Sequence, residues 1–359
     1  MTETTLADPT ALPTAGRSRP QTMNSRALSH QMASFYLVVA AGGALVCLGL
    51  VMVASAASVY SQVATGDPYY YGKRQIVFAV LGLGLAWLMS RLSPRVLRGL
   101  AWPAVILAFI LVILTYTPLG LEVNGNQNWL VFGPTWTQFQ PSEFAKLALI
   151  VWGAQHLAFK EKKLTDLRQW LSYVIVSLLL IGLVLIHDMG SAVVMTLTFV
   201  AILFLAGAPL RLIVALAALG SVAMVGLAVF QANRMGRIIA WLNPSEYDLS
   251  YNFQANHGLY ALASGGFWGL GLGASKQKWA GLMSTGYTDY IVAIIGEELG
   301  LAGTLMVLIL FVALAYAGVR VAARSRDSFT RLVVTGVTSW FVIQALVNIA
   351  VVFRCLPVL

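Results

Sequence analysis

The chain has 359 residues, 58% hydrophobic and only 10% charged, with a formal net charge of +9. Soluble domains carry roughly 25% charged residues, so a water-soluble globule of this size is excluded. The mean hydropathy of +0.78 and the long uncharged runs place the chain in a lipid bilayer, where about 20 apolar residues make one helical crossing. Nucleic acid is not an expected partner, because the basic residues sit in short loops between apolar segments rather than along one face or tail.

In chain order, residues 1–33 are rich in Thr, Ser, Pro and Ala and read as a disordered cytoplasmic tail. They are not a signal peptide, since the apolar stretch that follows is too long and ends in no small-residue cleavage site. Nine apolar segments follow near 34–60, 75–90, 101–118, 143–159, 171–187, 190–207, 210–230, 290–319 and 332–353. In lipid every backbone polar group must be paired within its own segment, so each is predicted as a helix. Pro103 falls near a predicted helix start, and Pro118, Pro134, Pro141, Pro209 and Pro244 fall in connections or at boundaries. Cys47 and Cys355 are expected as core fillers. No metal site is expected: the four histidines lack ligand spacing, and no complete phosphate- or dinucleotide-binding fingerprint occurs.

Lys and Arg set the orientation. With the tail inside, 15 of the 23 basic residues fall on the cytoplasmic side. Only Lys73, Arg74, Arg234, Arg237, Lys276 and Lys278 fall outside, as the positive-inside rule requires. Two outside connections are then long, 119–142 and 231–288. The second carries Trp241, Tyr247, Tyr251, Phe253, Tyr260, Phe267, Trp268 and Trp279, which predicts a segment folded against the outer membrane face and an extracytoplasmic working surface.

Ionisable groups near hydrocarbon cost about 2.5–3.5 kcal/mol and need a reason. Asp289 stands at the outer end of the eighth segment, where a partly dry carboxylate can take a proton from a substrate hydroxyl or simply cap the helix. Glu297 and Glu298 follow two turns deeper, and helical spacing lets at most one share the face of Asp289; interhelical hydrogen bonding is the plainer role for both. Glu143 and Lys146, three apart, form either a self-neutralising pair or a lining for an anionic headgroup. Asp188 lies in a tight outside turn with Gly190. The stretch Ser264–Lys276 holds Gly265, Gly266, Gly269, Gly271 and Gly273. With Lys276, Lys278, Arg234 and Arg237 it makes either a phosphate or pyrophosphate site or a re-entrant loop packed between helices.

These residues resemble a known family. Gln140-Pro141-Ser142-Glu143-Phe144-Ala145-Lys146, the glycine loop followed by Lys278-Trp279, Thr288-Asp289-Tyr290-Ile291 and Ile294-Ile295-Gly296-Glu297-Glu298-Leu299-Gly300 occur in the order of the SEDS proteins (shape, elongation, division and sporulation; FtsW/RodA/SpoVE). Asn124-Gly125 with Trp129 matches the element before them. The likeness covers residues 34–359 and leans towards the FtsW division branch.

The resemblance implies an all-α polytopic membrane protein of ten-helix architecture, of which nine helices are present here and the last is lacking, with the large outside loop between helices 7 and 8. It implies a peptidoglycan glycosyltransferase that polymerises lipid II at the outer face of the bacterial cytoplasmic membrane, at the division septum. A class B penicillin-binding protein and other divisome membrane proteins are the implied partners. Asp289 would be the general base, Glu143 and Lys146 the family's functional pair, and Asp188, Arg237, Lys276 and Lys278 substrate contacts. Glu297, Glu298, Gly265, Gly266, Gly271 and Gly273 would support the site. No cofactor is assigned, and a divalent cation such as Mg2+ at the leaving pyrophosphate is the one candidate. A lipid II flippase and an inactive divisome scaffold are the competing readings.

The sequence departs from the family at Ile186-His187, Gln127, Asn128, Tyr287, Arg354 and Cys355, and it stops at Leu359.

Overall fold

The structure is a computed structural model describing residues 32–123, 126–131, 133, 137–160, 167–230, 232–243, 252–279 and 281–357. The expectations for the tail up to residue 31, Asn124-Gly125, Pro134, Lys162, Lys163, Pro244, Tyr247 and Tyr251 fall outside those residues, as does the Arg234 side chain.

The chain runs α1 (Ala33–Ala56), α2 (Ser58–Thr65), α3 (Tyr70–Ser90), α4 (Pro94–Leu114), β1 (Gly120–Val123), β2 (Asn126–Val131), β3 (Gln138–Phe139), α5 (Pro141–Lys160), α6 (Leu167–His187), α7 (Met189–Leu205), α8 (Leu210–Phe230), α9 (Ala232–Leu242), α10 (Phe253–Gly265), α11 (Ile291–Arg324) and α12 (Ser328–Val352). Boundary chemistry is local. Pro94 opens α4, where its missing N–H costs nothing. Gly66 closes α2 in the left-handed conformation. Asp188 and Asp327 cap α7 and α12 by accepting from the amides of Ser191 and Thr330.

Among the described residues, six helices are long and apolar enough to cross a membrane: α1, α3, α4, α6 from Trp170, α11 and α12. The protein is therefore a helical, multi-pass membrane protein. Of the other predicted segments, α5 carries Glu143, Lys146 and Lys160, α7 is short, and the described apolar part of α8 ends at Ala223.

Several expectations need correction. Pro103 lies inside α4, not near its start, because the helix begins nine residues earlier at Pro94. Cys47 and Cys355 are exposed, not core fillers, since a helix in lipid can turn apolar side chains outward without penalty. The connection 119–142 contains a small antiparallel sheet in the order β1-β2-β3, so the architecture is not wholly α. The sequence carries a hairpin signal there, the Asn-Gly dipeptide at 124–125.

Two hydrophobic cores organise the bundle. One packs α4 to α8 and the start of α12 around Trp152, Tyr173 and Phe199. The other gathers Met52, Ala56, Ala261, Leu282, Tyr290, Ile294 and Val352 from α1, α10, α11 and α12. Large exposed side chains such as Val80, Leu81 and Trp87 on α3 form the outward surface, which suits lipid contact.

The eighth predicted crossing is not one continuous helix. At Gly300 the backbone of α11 turns to φ 68°, ψ −165°, a region that only glycine occupies readily. The break frees backbone groups on both sides, and the glycine loop takes them. Leu270 and Gly271 amides donate to the carbonyls of Glu297 and Glu298 at 2.9 and 3.0 Å. In return, Leu301 and Ala302 amides donate to the carbonyls of Gly266 and Phe267 at 2.9 and 3.1 Å. Non-helical backbone is tolerated at membrane depth when protein satisfies it in this way. Beyond the break, residues 301–324 span about 36 Å at 1.5 Å per residue, enough to cross a hydrocarbon core of about 30 Å. The helix beyond the break is thus long enough for a crossing by itself.

Candidate active site

The glycine loop reaches the α11 break because its glycines leave room. A Cβ at Gly265 would stand 1.9 Å from the carbonyl oxygen of Gly296, and one at Gly269 would stand 2.2 Å from that of Glu298. Both carboxylates beneath the loop are fully buried. Glu297 accepts from the Ser275 hydroxyl at 2.5 Å and from the amides of Lys276 and Gln277 at 2.9 and 3.4 Å. Glu298 accepts from Ser55 Oγ at 2.8 and 2.7 Å, from the Ser275 amide at 3.3 Å, and from Lys278 Nζ at 3.2 Å. Lys278 also donates to the Gly273 carbonyl at 2.7 Å. A buried charge needs a partner or hydrogen bonds: Glu298 has the Lys278 ammonium, and Glu297 has a hydroxyl and two amides.

Lys278 is thus a buried strut between the loop, α1 and α11, whereas the sequence suggests a phosphate ligand on an open surface. Lys276, two residues earlier, is exposed. Gly266, Gly271 and Gly273 all take positive φ.

Asp289 differs in every respect. It precedes the helix, since the N-cap of α11 is Tyr290 and no side chain caps that end. The cap role open from the sequence is not realised, and the helical-spacing comparison with Glu297 and Glu298 does not hold. The Asp289 side chain is exposed and accepts no hydrogen bond from any described residue. Water reaches it, yet protein crowds around it. That partial burial raises its pKa above the usual carboxylate value; the nearby Asp188 charge raises it further, and Arg237 opposes both. A carboxylate raised this way, uncommitted and open to solvent, is suited to accept a proton.

Asp188 brings the start of α5 to this neighbourhood. Its Oδ1 accepts from the Ser191 amide at 2.9 Å, and its Oδ2 accepts from Gln140 Nε2 at 2.7 Å and Ser142 Oγ at 3.1 Å. The Asp188 carboxylate is therefore both helix cap and anchor for the Gln140-Pro141-Ser142 turn. Arg237 comes from α9, an amphipathic helix with Ile238 and Trp241 beside it, and pairs with no described residue.

Glu143 and Lys146 meet at 2.7 Å, with the Lys146 side chain 1% exposed and Glu143 42%. Lys146 also donates to Gln344 Oε1 at 3.1 Å and lies over the Trp340 ring. The structure thus divides the predicted site residues into three groups: Asp289 with Asp188 and Arg237; Glu143 with Lys146; and the buried cluster of Glu297, Glu298 and Lys278. Ser55 in the last group is invisible in the sequence, because a lone serine in an apolar helix carries no signal. Tyr60, Tyr71 and Tyr287, with ring centroids 5.2–5.6 Å apart, form an aromatic cluster two residues from Asp289 that sequence reasoning also missed. No three or more His, Cys, Asp or Glu side chains converge as a metal cage among the described residues.

The sequence pattern of the cell cycle proteins FtsW/RodA/SpoVE matches residues 35–359. The probable peptidoglycan glycosyltransferase FtsW of Mycobacterium tuberculosis is 36% identical over 347 residues, covering 96% of this chain and 66% of its own. The chain thus spans just under two thirds of that relative's length. The stage V sporulation protein E of Bacillus subtilis is 35% identical over 88% of this chain and 86% of its own. Among solved structures, one described as a peptidoglycan synthase complex that coordinates polymerization and crosslinking aligns with a TM-score of 0.71. It shares 28% identity and covers 92% of this chain and 89% of that one. The rod shape determining protein RodA of Thermus thermophilus aligns with a TM-score of 0.61 at 27% identity, over 91% of this chain and 86% of its own.

Proposed function

The chain belongs to the FtsW/RodA/SpoVE family of cell cycle proteins, and from that premise we propose that it is a peptidoglycan glycosyltransferase polymerising lipid II, with Asp289 as general base. The observation that carries this reading is the state of Asp289: exposed, uncapped, and raised in pKa beside Asp188 and Arg237.

In the proposed reaction Asp289 takes the proton of the acceptor GlcNAc 4-hydroxyl. The hydroxyl oxygen then bonds to the donor's anomeric carbon as the bond from that carbon to undecaprenyl pyrophosphate breaks. The electron pair leaves with the pyrophosphate, and the proton passes from Asp289 to solvent. Arg237 stands ready to meet negative charge, and Asp188 keeps Asp289 basic. Mg2+ prefers oxygen donors, but both Asp188 oxygens are held by Ser191, Gln140 and Ser142 and Asp289 is needed as the base, so these residues do not fit a metal and no step is routed through one.

The reading includes nine crossings, a cytoplasmic N-terminus and residues 231–288 at the outer face of the bacterial inner membrane. The excess of basic residues on the opposite side supports that orientation. Work at the septum with a class B penicillin-binding protein fits the names of the relatives and of the synthase complex. A broken helix is also a trait of transporters, whose sites lie near the midplane. The 24 residues of α11 beyond Gly300 are long enough to cross alone, which supports a break near the membrane edge and favours chemistry at the surface over passage through it.

The test is lipid II polymerisation by the purified chain with a class B penicillin-binding protein, comparing the natural chain with Asp289→Ala. Polymer from the first alone supports the reading. Polymer from both removes Asp289 from the mechanism, and polymer from neither leaves the flippase or scaffold.

A further inference from the structure

The end of the described chain joins Arg237 in a small basic recess. Arg237, Trp241, Asn252, Ala255, Arg354 and Pro357 line it, and its mouth is open. Both charged residues of this described lining are arginines.

Arg354 is held there at a cost. Its φ of 57° makes it the only non-glycine residue with positive φ among those described, a left-handed conformation that L-residues adopt only under strain. Two contacts fix it. Trp241 Nε1 donates to its carbonyl at 2.8 Å, and its own Nη1 donates to Asn256 Oδ1 at 2.7 Å. The remaining guanidinium nitrogen, Nη2, is buried and has no hydrogen-bond partner among the described residues. Leaving a buried donor unmade is costly, the more so for a charged group. A left-handed backbone thus aims a guanidinium nitrogen with a donor to spare beside a second arginine.

We infer that Arg354 and Arg237 form a binding site for a phosphate or pyrophosphate group, with Arg354 Nη2 as its principal donor. The planar fork of arginine matches phosphate oxygens in bidentate geometry. Proximity to the proposed chemistry is independent support: Tyr290 lies within the electrostatic reach of Asp289, Arg237 and Arg354 together. The inference stands whether the chain polymerises a lipid-linked glycan, moves it or only holds it, so its failure and that of the transferase reading are separate events.

The test is equilibrium binding of radiolabelled inorganic pyrophosphate to the full chain in detergent, with farnesyl pyrophosphate and phosphatidylglycerol as competitors. Arg354→Gly removes the guanidinium while relieving the left-handed strain, so the variant is expected to melt no lower than the natural chain and to bind pyrophosphate at least tenfold more weakly. If that variant melts early, Arg237→Gln decides the matter, with the same tenfold loss expected. Farnesyl pyrophosphate or phosphatidylglycerol competing better than inorganic pyrophosphate assigns the site to a lipid headgroup; equal competition assigns it to a free anion. No saturable binding of any probe, or binding by the folded variants within twofold of the natural chain, overturns the inference.

Discussion

Asp289 and the Glu297-Glu298 pair lie within ten residues of one another, carry the same chemistry, and do opposite work. The two glutamates are fully buried, and each is saturated by hydroxyls, amides or an ammonium drawn from the glycine loop and α1. Asp289 is exposed, caps nothing, and has its proton affinity raised by partial burial and by Asp188. A carboxylate whose lone pairs are all taken holds structure together; one with lone pairs to spare is available for chemistry. The glutamates hold the loop into the helix break, and the break fixes the start of α11 from which Asp289 projects.

The sharpest way to break that contrast is to strip the glutamates of a partner. Lys278→Met leaves Glu298 buried beside Ser55 without its cation. Removing one partner of a buried pair costs about 3–5 kcal/mol, so the melting temperature in detergent should fall markedly, and Lys278→Met/Glu298→Leu should recover part of the loss. Gly269→Ala attacks the same join sterically, since its Cβ would meet the Glu298 carbonyl at 2.2 Å while φ is +82°. A loss of about 3 kcal/mol, the upper end of overpacking costs, is expected, read by the same melt.

The chemical side of the contrast is sharpened by pH. If Asp289 must be ionised to act, turnover is lost as pH falls through its raised pKa. Arg237→Gln removes an influence that lowers that pKa, so the acid limb of the rate profile should move to higher pH. Asp188→Asn removes one that raises it, and the limb should move to lower pH. The smallest effect comes from a carboxylate that resembles neither. Asp327 caps α12 and pairs with Arg98, which holds its pKa down to about 2. Asp327→Asn keeps the cap, since asparagine caps as well as aspartate, and loses the charge paired with Arg98, so it should cost about 1 kcal/mol or less and leave turnover unchanged. A group lowered in this way stabilises fully above its ordinary value of 3.8 and loses that contribution only as pH falls through about 2, so the variant and natural chain should converge in strong acid.

Much of this is legible in the amino-acid sequence. Hydropathy locates the long helices, and the ordered run from Gln140 to Gly300 identifies the family. What stays hidden there depends on partners distant along the chain. Gly300 sits in a pattern that reads as uninterrupted helix, and its break makes sense only once the glycine loop supplies the missing hydrogen bonds. Lys278, basic and next to glycines, looks like a phosphate ligand; its burial against Glu298 and Ser55 is a tertiary fact. Cys47 and Cys355 look like core because hydropathy cannot separate a lipid-facing side chain from a buried one. The hairpin at 120–131 is within reach of sequence reasoning, through its Asn-Gly signal.

The most direct measurement is lipid II polymerisation, with a class B penicillin-binding partner present, by the natural chain and by Asp289→Asn, each also melted in detergent. The account predicts unchanged melting and a loss of turnover of about 10²–10⁴-fold, the usual contribution of a general base. Turnover within a few-fold of the natural chain, at equal stability, would contradict it.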